Sequence, residues 1–134
     1  MAPPALTFLA ISAVTAEAVG AAAWVRWRFM RCRIDGRSMS PTLADGDWII
    51  ADRGSHRDYR PQAGDVVIAR DPRDTTHLLA KRIDHIDLHG QVWLLGDNVA
   101  ESTDSRTFGP VRINAIVARV RWRYFPLSRA ARID

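Results

Sequence analysis

GDVVIARDPRDTTHLLAKRIDHIDLHGQVWLLGDN, residues 64–98, is built from three short apolar runs, DVVIAR (65–70), HLLAKRI (77–83) and QVWLL (91–95), separated by DPRDTT and DLHG. Runs of this length, rich in Val, Ile and Leu and bounded by Gly, Pro and Asp, read as strands joined by turns, and no helical period of useful length passes through them. The same texture continues on both sides. DWIIA (47–51) follows the turn residues ADG and is divided from the quoted stretch by YRPQAG, while IVARVRWRY (116–124) comes after the polar segment GDNVAESTDSRTFGP. From Ile34 onward the chain is therefore expected to be all-β, one small domain of antiparallel strands, with its bounds set at residues 31–134.

Residues 1–30 differ in kind. Ala5 to Val25 read ALTFLAISAVTAEAVGAAAWV, with Glu17 the sole charge, about the length needed to cross a bilayer core of roughly 30 Å as a helix. Alanine dominates, and a carboxylate near the middle costs a few kcal/mol, so a spanning helix, an interfacial helix and a helix packed on the domain all stay open. No basic residue precedes the apolar run, which argues against a cleaved secretory signal. The flank WVRWRFMRCR then supplies Trp24, Trp27 and Phe29 with interleaved arginines, the composition of a membrane interface. The expectation is a single N-terminal anchor in contact with membrane lipid, with the following domain on the cytoplasmic side by the positive-inside rule.

The 134 residues carry 47% apolar and 25% charged side chains, enough for one core and too little polar sequence for disorder. The net charge of +4 is written almost wholly in arginine: of nineteen basic residues, only Lys81 is a lysine. Arginines cluster beside the most apolar and aromatic stretches, at 26–37 and 119–132, which fits a membrane surface better than nucleic acid, and no nucleic-acid partner is expected. Cys32 is the only cysteine, so neither an intrachain disulfide nor a cysteine zinc site is open to this chain. His56, His77, His85 and His89 lack the HExxH spacing of a helical metal site, and no metal or cofactor is expected.

The solitary lysine invites a chemical explanation, because it stands inside the apolar run LLAKRI. Arginine does not lose its proton in a protein, whereas burial depresses a lysine until it can act as a base near neutrality. Bringing it from about 10.4 to near 7 costs roughly 4 to 5 kcal/mol, which a desolvated pocket can impose. The plain alternative is a stem lying on the sheet with its ammonium snorkelling to water. Ser38 lies between Gly36 and Pro41 in GRSMSPTLADGDW, ahead of the first clear strand, where a turn can present both a hydroxyl and an N–H. A serine needs an adjacent base to become a nucleophile, and a neutral lysine is an alternative to histidine in that role. In GDNVAESTDSRTFGPV (96–111), Ser102 can hold a lysine amine and Asp104 can pair with Arg106. For Asp97, Asn98 and Ser105, membership of an ordinary solvated loop with Asx turns is at least an equal reading.

GRSMSPTL, LLAKR and GDNVAESTDSRTFGPV, in this order, are similar to the motifs of type I signal peptidases, Ser/Lys proteases that cut behind small residues, and RYFPLSRAARID is similar to that family's C-terminal ending. The resemblance covers most of residues 34–129. It implies a signal-peptidase-like β-domain, with Ser38 as nucleophile, Lys81 as general base, Ser102 orienting Lys81, and Asp104 with Arg106 as a structural pair. It also implies a precursor protein bound as an extended strand beside Ile34, Met39, Leu78 and Ala80. The Ser38 N–H would donate to the oxyanion, and Gly36 stands where many bacterial members carry a second donor, Ser. Only the hairpin DHIDLHGQ separates the lysine run from QVWLL, and this compact form looks most like nickel-type superoxide dismutase maturation proteases, which remove a short N-terminal extension. General removal of signal peptides is the alternative. A self-cleaving repressor shares a Ser/Lys β-domain, but residues 1–30 are too apolar for a DNA-reading module. A catalytically dead module would have no need of the one lysine.

Overall fold

The computed structural model describes residues 5–54 and 59–134. A helix, α1 (Ala5–Arg28), runs directly into β1 (Phe29–Arg33). β2 (Trp48–Asp52), β3 (Val66–Asp71), β4 (Asp74–Ile86) and β5 (Gln91–Leu95) follow. After them come a single helical turn α2 (Ser105–Phe108), β6 (Val111–Arg112), β7 (Ile116–Phe125) and β8 (Ala131–Arg132). Among the described residues the eight strands form one antiparallel sheet in the order β1-β2-β7-β3-β4-β5-β6, with β8 on β7. The chain is thus all-β after its N-terminal helix.

Both faces of the central strands are covered. On β3, Val66 and Ile68 join a core with Leu43, Ile49 and Val120, while Val67 and Ala69 face a second core with Ile83, Val92 and Leu94. Alternate residues point to opposite faces, so a strand buried on both sides is written as an unbroken apolar run, which is why VVIA shows no alternation. Each fully buried Val, Leu or Ile side chain contributes about 1.5–3 kcal/mol.

β1 falls inside the flank that its composition assigns to the membrane interface. Phe29 and Met30 pair with Asp52 and Ala51 of β2, and Phe29 lies 6.2 Å from the Trp122 ring. Met30 and Cys32 pack on the core while Arg31 and Arg33 are exposed, a period of two that the surrounding tryptophans and arginines hide. Among the described residues no helix is long and apolar enough to cross a membrane.

β4 is the longest strand because it has two partners. Leu78–Arg82 pair with β3, and Arg82–Ile86 pair with β5, so from Asp74 to Lys81 the edge toward β5 has no partner strand among the described residues. The β4–β5 hairpin turns at Asp87–Gly90, where the Asp87 carboxylate accepts from the N–H groups of His89 and Gln91 and Gly90 takes φ +76°.

Candidate active site

Ser38 sits in the turn between β1 and β2. That turn is sealed at its neck, where Ile34 N–H donates to Asp47 O and Gly46 N–H donates to Ile34 O, both at 2.8 Å. It is pinned from below by Met39 and Leu43, four residues apart and both buried in the first core. Ser38 itself is half-buried, and its carbonyl accepts from Asn98 N–H at 2.9 Å. This bond joins the turn to the segment after β5.

Lys81 lies opposite Val67 on β4, two residues before buried Ile83, so its stem leaves the sheet on the face of the second core. It is only 3% exposed. Nζ donates to Ser102 Oγ at 3.1 Å, and Ser102 Oγ donates to Asp104 Oδ2 at 2.8 Å. Burial lowers the Lys81 pKa, with Arg73 and Arg106 acting in the same direction and the Asp104 and Asp71 charges opposing. Burial alone would raise the Asp104 carboxyl, but hydrogen bonds from Arg106, the Gly96 N–H and Ser102 hold it well below the usual carboxylate range. Arg106 grips Asp104 with Nε at 2.9 Å and Nη2 at 2.7 Å, a bidentate fork that keeps the buried carboxylate ionised.

Gly96 joins these groups. A Cβ placed there would collide with Ser102 Oγ and Cβ and lie 2.6 Å from the Ser38 carbonyl oxygen. One α-carbon is therefore in close contact with the turn bearing Ser38 and with the hydroxyl that receives Lys81. Gly96 thus lies between the backbone of the Ser38 turn and the hydrogen-bonded chain of Lys81, Ser102, Asp104 and Arg106.

Of the residues expected to line the substrate strand, Leu78 is exposed and Ala80 half-buried, on the part of β4 whose outer edge is unpaired. The side chains of Ile34 and Met39 are in the first core, Met39 at 1% exposure, and the Ile34 backbone N–H and C=O are both spent on the neck of the turn. Gly36 N–H donates to Asp45 Oδ1 at 2.9 Å. The Ser38 N–H has no acceptor among the described residues.

Several positioning groups escape a reading of the sequence. Asp97, for which a solvated loop was an equal expectation, accepts both Nε and Nη2 of Arg82 at 2.9 Å and the Thr42 hydroxyl at 2.6 Å. It so ties β4 to the Ser38 turn. Ser105 is buried and its Oγ accepts from Leu94 N–H at 2.8 Å. Buried Asp47, just after the turn, accepts from Arg129 Nη1 at 2.9 Å. Arg129 Nη2 also donates to Pro41 O at 3.3 Å, so the C-terminal segment clasps the nucleophile turn. Of these ion pairs only Asp104 with Arg106 is expected from the sequence; the partners of Arg82 and Arg129 lie far away along the chain.

His77 is exposed at the far end of the unpaired edge, its Nδ1 3.4 Å from Asp71 Oδ2, and His85 stacks on Trp93. His56 lies outside the described residues. Among the described residues no group of His, Cys, Asp and Glu is arranged to hold a metal ion.

The family described as "Signal peptidase, peptidase S26" matches residues 7–85 and 88–125. The chain belongs to the signal peptidase family. It is 36% identical over 112 residues to mitochondrial inner membrane protease subunit 1 of Homo sapiens, covering 69% of this chain and 68% of the relative. It is likewise 36% identical over 123 residues to mitochondrial ATP-independent inner membrane protease subunit 1a of Arabidopsis thaliana, covering 75% and 73% of the two. Subunit 2 of the mitochondrial inner membrane protease of Schizosaccharomyces pombe is 36% identical over 123 residues, covering 75% and 67%. The family match includes the turn of Ser38 and the strand of Lys81.

Proposed function

We propose that this chain is a serine endopeptidase in which Ser38 is the nucleophile and Lys81 the general base, and that it removes an N-terminal extension from a precursor protein. The observation that carries this reading is the buried amine of Lys81, hydrogen-bonded to Ser102 beside the one glycine that also touches Ser38. A lysine so desolvated loses its proton far more readily than a free one. Ser102 directs its own proton to Asp104 and offers a lone pair to a Lys81 N–H, which leaves the lone pair of the neutral amine free. That lone pair takes the Ser38 proton as Oγ attacks the scissile carbonyl. The resulting ammonium returns the proton to the departing amine, and water, activated by the same amine, then cleaves the acyl-enzyme. The Ser38 N–H donates to the developing oxyanion. With Gly36 N–H held by Asp45, a second donor would have to come from elsewhere.

The precursor binds as an added strand along the unpaired edge of β4, with Leu78 and Ala80 at its side, since such an edge offers free N–H and C=O groups. Ile34 and Met39 support the turn from the core and leave substrate contact to β4.

The relatives are named for the mitochondrial inner membrane, and this supports action at a membrane surface for this chain. We assign the N-terminal segment as the attachment and, from the arginines after Val25, the cytoplasmic face as the side of the β-domain; protease accessibility in intact cells reads that side directly. General processing of precursors is the reading these relatives favour. None of them is named for superoxide dismutase maturation, so that narrower substrate gains no support from them.

Replacing Ser38 with Ala in the producing cell and comparing protein N-termini with wild type tests the proposal. One or more precursors should accumulate with their extensions uncut, and Lys81→Arg should give the same pattern because the charge is kept while deprotonation is forbidden. Unchanged N-termini in both variants would remove the dyad from the mechanism.

A further inference from the structure

The β3–β4 hairpin carries an ion pair of its own. Asp71, at the end of β3, is only 3% exposed, and it follows Val67 and Ala69 of the second core at the two-residue spacing of a strand. Its Oδ1 accepts from Arg73 N–H and Arg73 Nε, both at 2.9 Å, and its Oδ2 accepts from Arg73 Nη2 at 2.6 Å. That fork holds the Asp71 carboxyl well below the usual carboxylate range. The same guanidinium lies over the ring of Phe108, 5.2 Å from its centroid.

Phe108 ties Arg73 to the groups around the amine of Lys81. It is the last residue of α2, packs against the second core, and donates its N–H to Asp104 O at 3.1 Å. Asp104 in turn holds Ser102, and Ser102 receives Lys81. On the other side, β4 runs from the hairpin to Lys81 with its outer edge unpaired among the described residues. Arg73 therefore joins the free end of the strand that carries the amine to the segment that fixes it. A guanidinium suits this double task, since its edge forks on a carboxylate while its plane rests on an aromatic face.

Two ion pairs thus flank Lys81, and they face it in opposite senses. Burial is the main cause of the lowered Lys81 pKa; Asp104 opposes it more than Arg106 helps, whereas Arg73 helps more than Asp71 opposes. The first pair presents its carboxylate, through Ser102, and the second its guanidinium. Of the other charged groups nearby, His77 sits 3.4 Å from Asp71, Asp74 is bonded to Thr76, and Arg82, next along the strand, is held by Asp97. A fixed positive charge near an amine favours its neutral form, the form a general base requires.

We propose that Arg73 is a positioning residue for the general base, its guanidinium forked on Asp71 and laid on Phe108 so that the hairpin and one fixed positive charge are both held toward Lys81. The proposal rests on the Ser38–Lys81 reading above and adds a residue that acts through Lys81.

Lys81 is the only lysine of the chain, so isotope-labelled lysine gives one side-chain NMR signal in the full-length protein, and its pH titration reads the amine with no substrate present. Arg73→Gln should move the Lys81 midpoint to higher pH. Arg112→Gln, an equal loss of charge on exposed β6, should leave it in place. Arg73→Lys should keep the low midpoint, because the charge and the ring contact survive the loss of the fork; the introduced amine is recognised as the signal that wild type lacks. Should Arg73→Gln fold poorly, Phe108→Leu, which keeps the charge and removes its seat, must move the midpoint in the same direction. An unchanged midpoint in Arg73→Gln or Phe108→Leu, or an equal rise in Arg112→Gln or Arg73→Lys, overturns the proposal and leaves the dyad standing. A wild-type midpoint near the ordinary lysine value of about 10.4 overturns both.

Discussion

Gly96→Ala places one methyl group where the protein has no room. The added carbon would collide with Ser102 Oγ and Cβ and lie 2.6 Å from the Ser38 carbonyl, and neither neighbour is the loose end of a flexible side chain. The carbonyl is backbone already bound to Asn98 N–H, and Ser102 is held between Lys81 and Asp104. Gly96 is not among the glycines with positive φ, so the effect is one of packing rather than of backbone conformation. Overfilling a packed site costs about 1–3 kcal/mol, which for a domain of this size lowers Tm by roughly 3–12 °C. The chemical effect is larger. Relief of the clash must move Ser102 or the Ser38 turn by a sizeable fraction of an ångström, and misplacement near 1 Å costs on the order of 10²-fold in rate. Thermal unfolding and cleavage of a confirmed precursor, the latter assayed well below Tm, separate the two effects. Gly90→Ala is the control, because Gly90 has open space around it but takes φ +76°: it should lose about 1 kcal/mol of stability and keep full activity. A Gly96→Ala protein with wild-type Tm and wild-type kcat would refute the close approach of Ser38 and Ser102 at this residue.

Activity should rise with pH through the lowered Lys81 pKa and stay high into the alkaline range, and His77→Gln, His85→Gln, His89→Gln and His56→Gln should each keep that limb; its loss in one of them would transfer the role of base to that histidine. Because the folded Lys81 pKa lies below its unfolded value of about 10.4, the unfolded chain holds the extra proton between the two, so stability should rise with pH across that window and Lys81→Met should flatten the rise in urea titrations. Asp104→Asn removes a charge that favours the Lys81 ammonium, so the acid limb of the activity profile should move to lower pH while the maximal rate falls; a shift to higher pH would contradict the network. Asp47→Ala strands Arg129 and Arg123 beside a partly buried site and should cost on the order of 3 kcal/mol by chemical denaturation, with Arg129→Gln milder because its own side chain is partly exposed.

Short apolar runs punctuated by Gly, Pro and Asp were enough to place the main strands, because strand period and turn chemistry are local properties of the chain. Lys81 stood out for a reason equally local, as the one cation able to shed its proton inside an apolar run, and order along the chain was enough to bring Ser38, Lys81 and Ser102 into one family pattern. β1 was hidden because a two-residue alternation of Met30 and Cys32 looks the same beside a membrane as beside a core, until β2 arrives as its partner. The burial of Met39, the spent backbone of Ile34, and the ties of Asp97 to Arg82 and Thr42 and of Asp47 to Arg129 depend on which segments the sheet brings together from far apart in sequence. Gly96 shows the difference most plainly. In the sequence it is a turn residue after a strand, and only the packing of Ser102 and the Ser38 carbonyl against its α-carbon explains why no side chain can stand there.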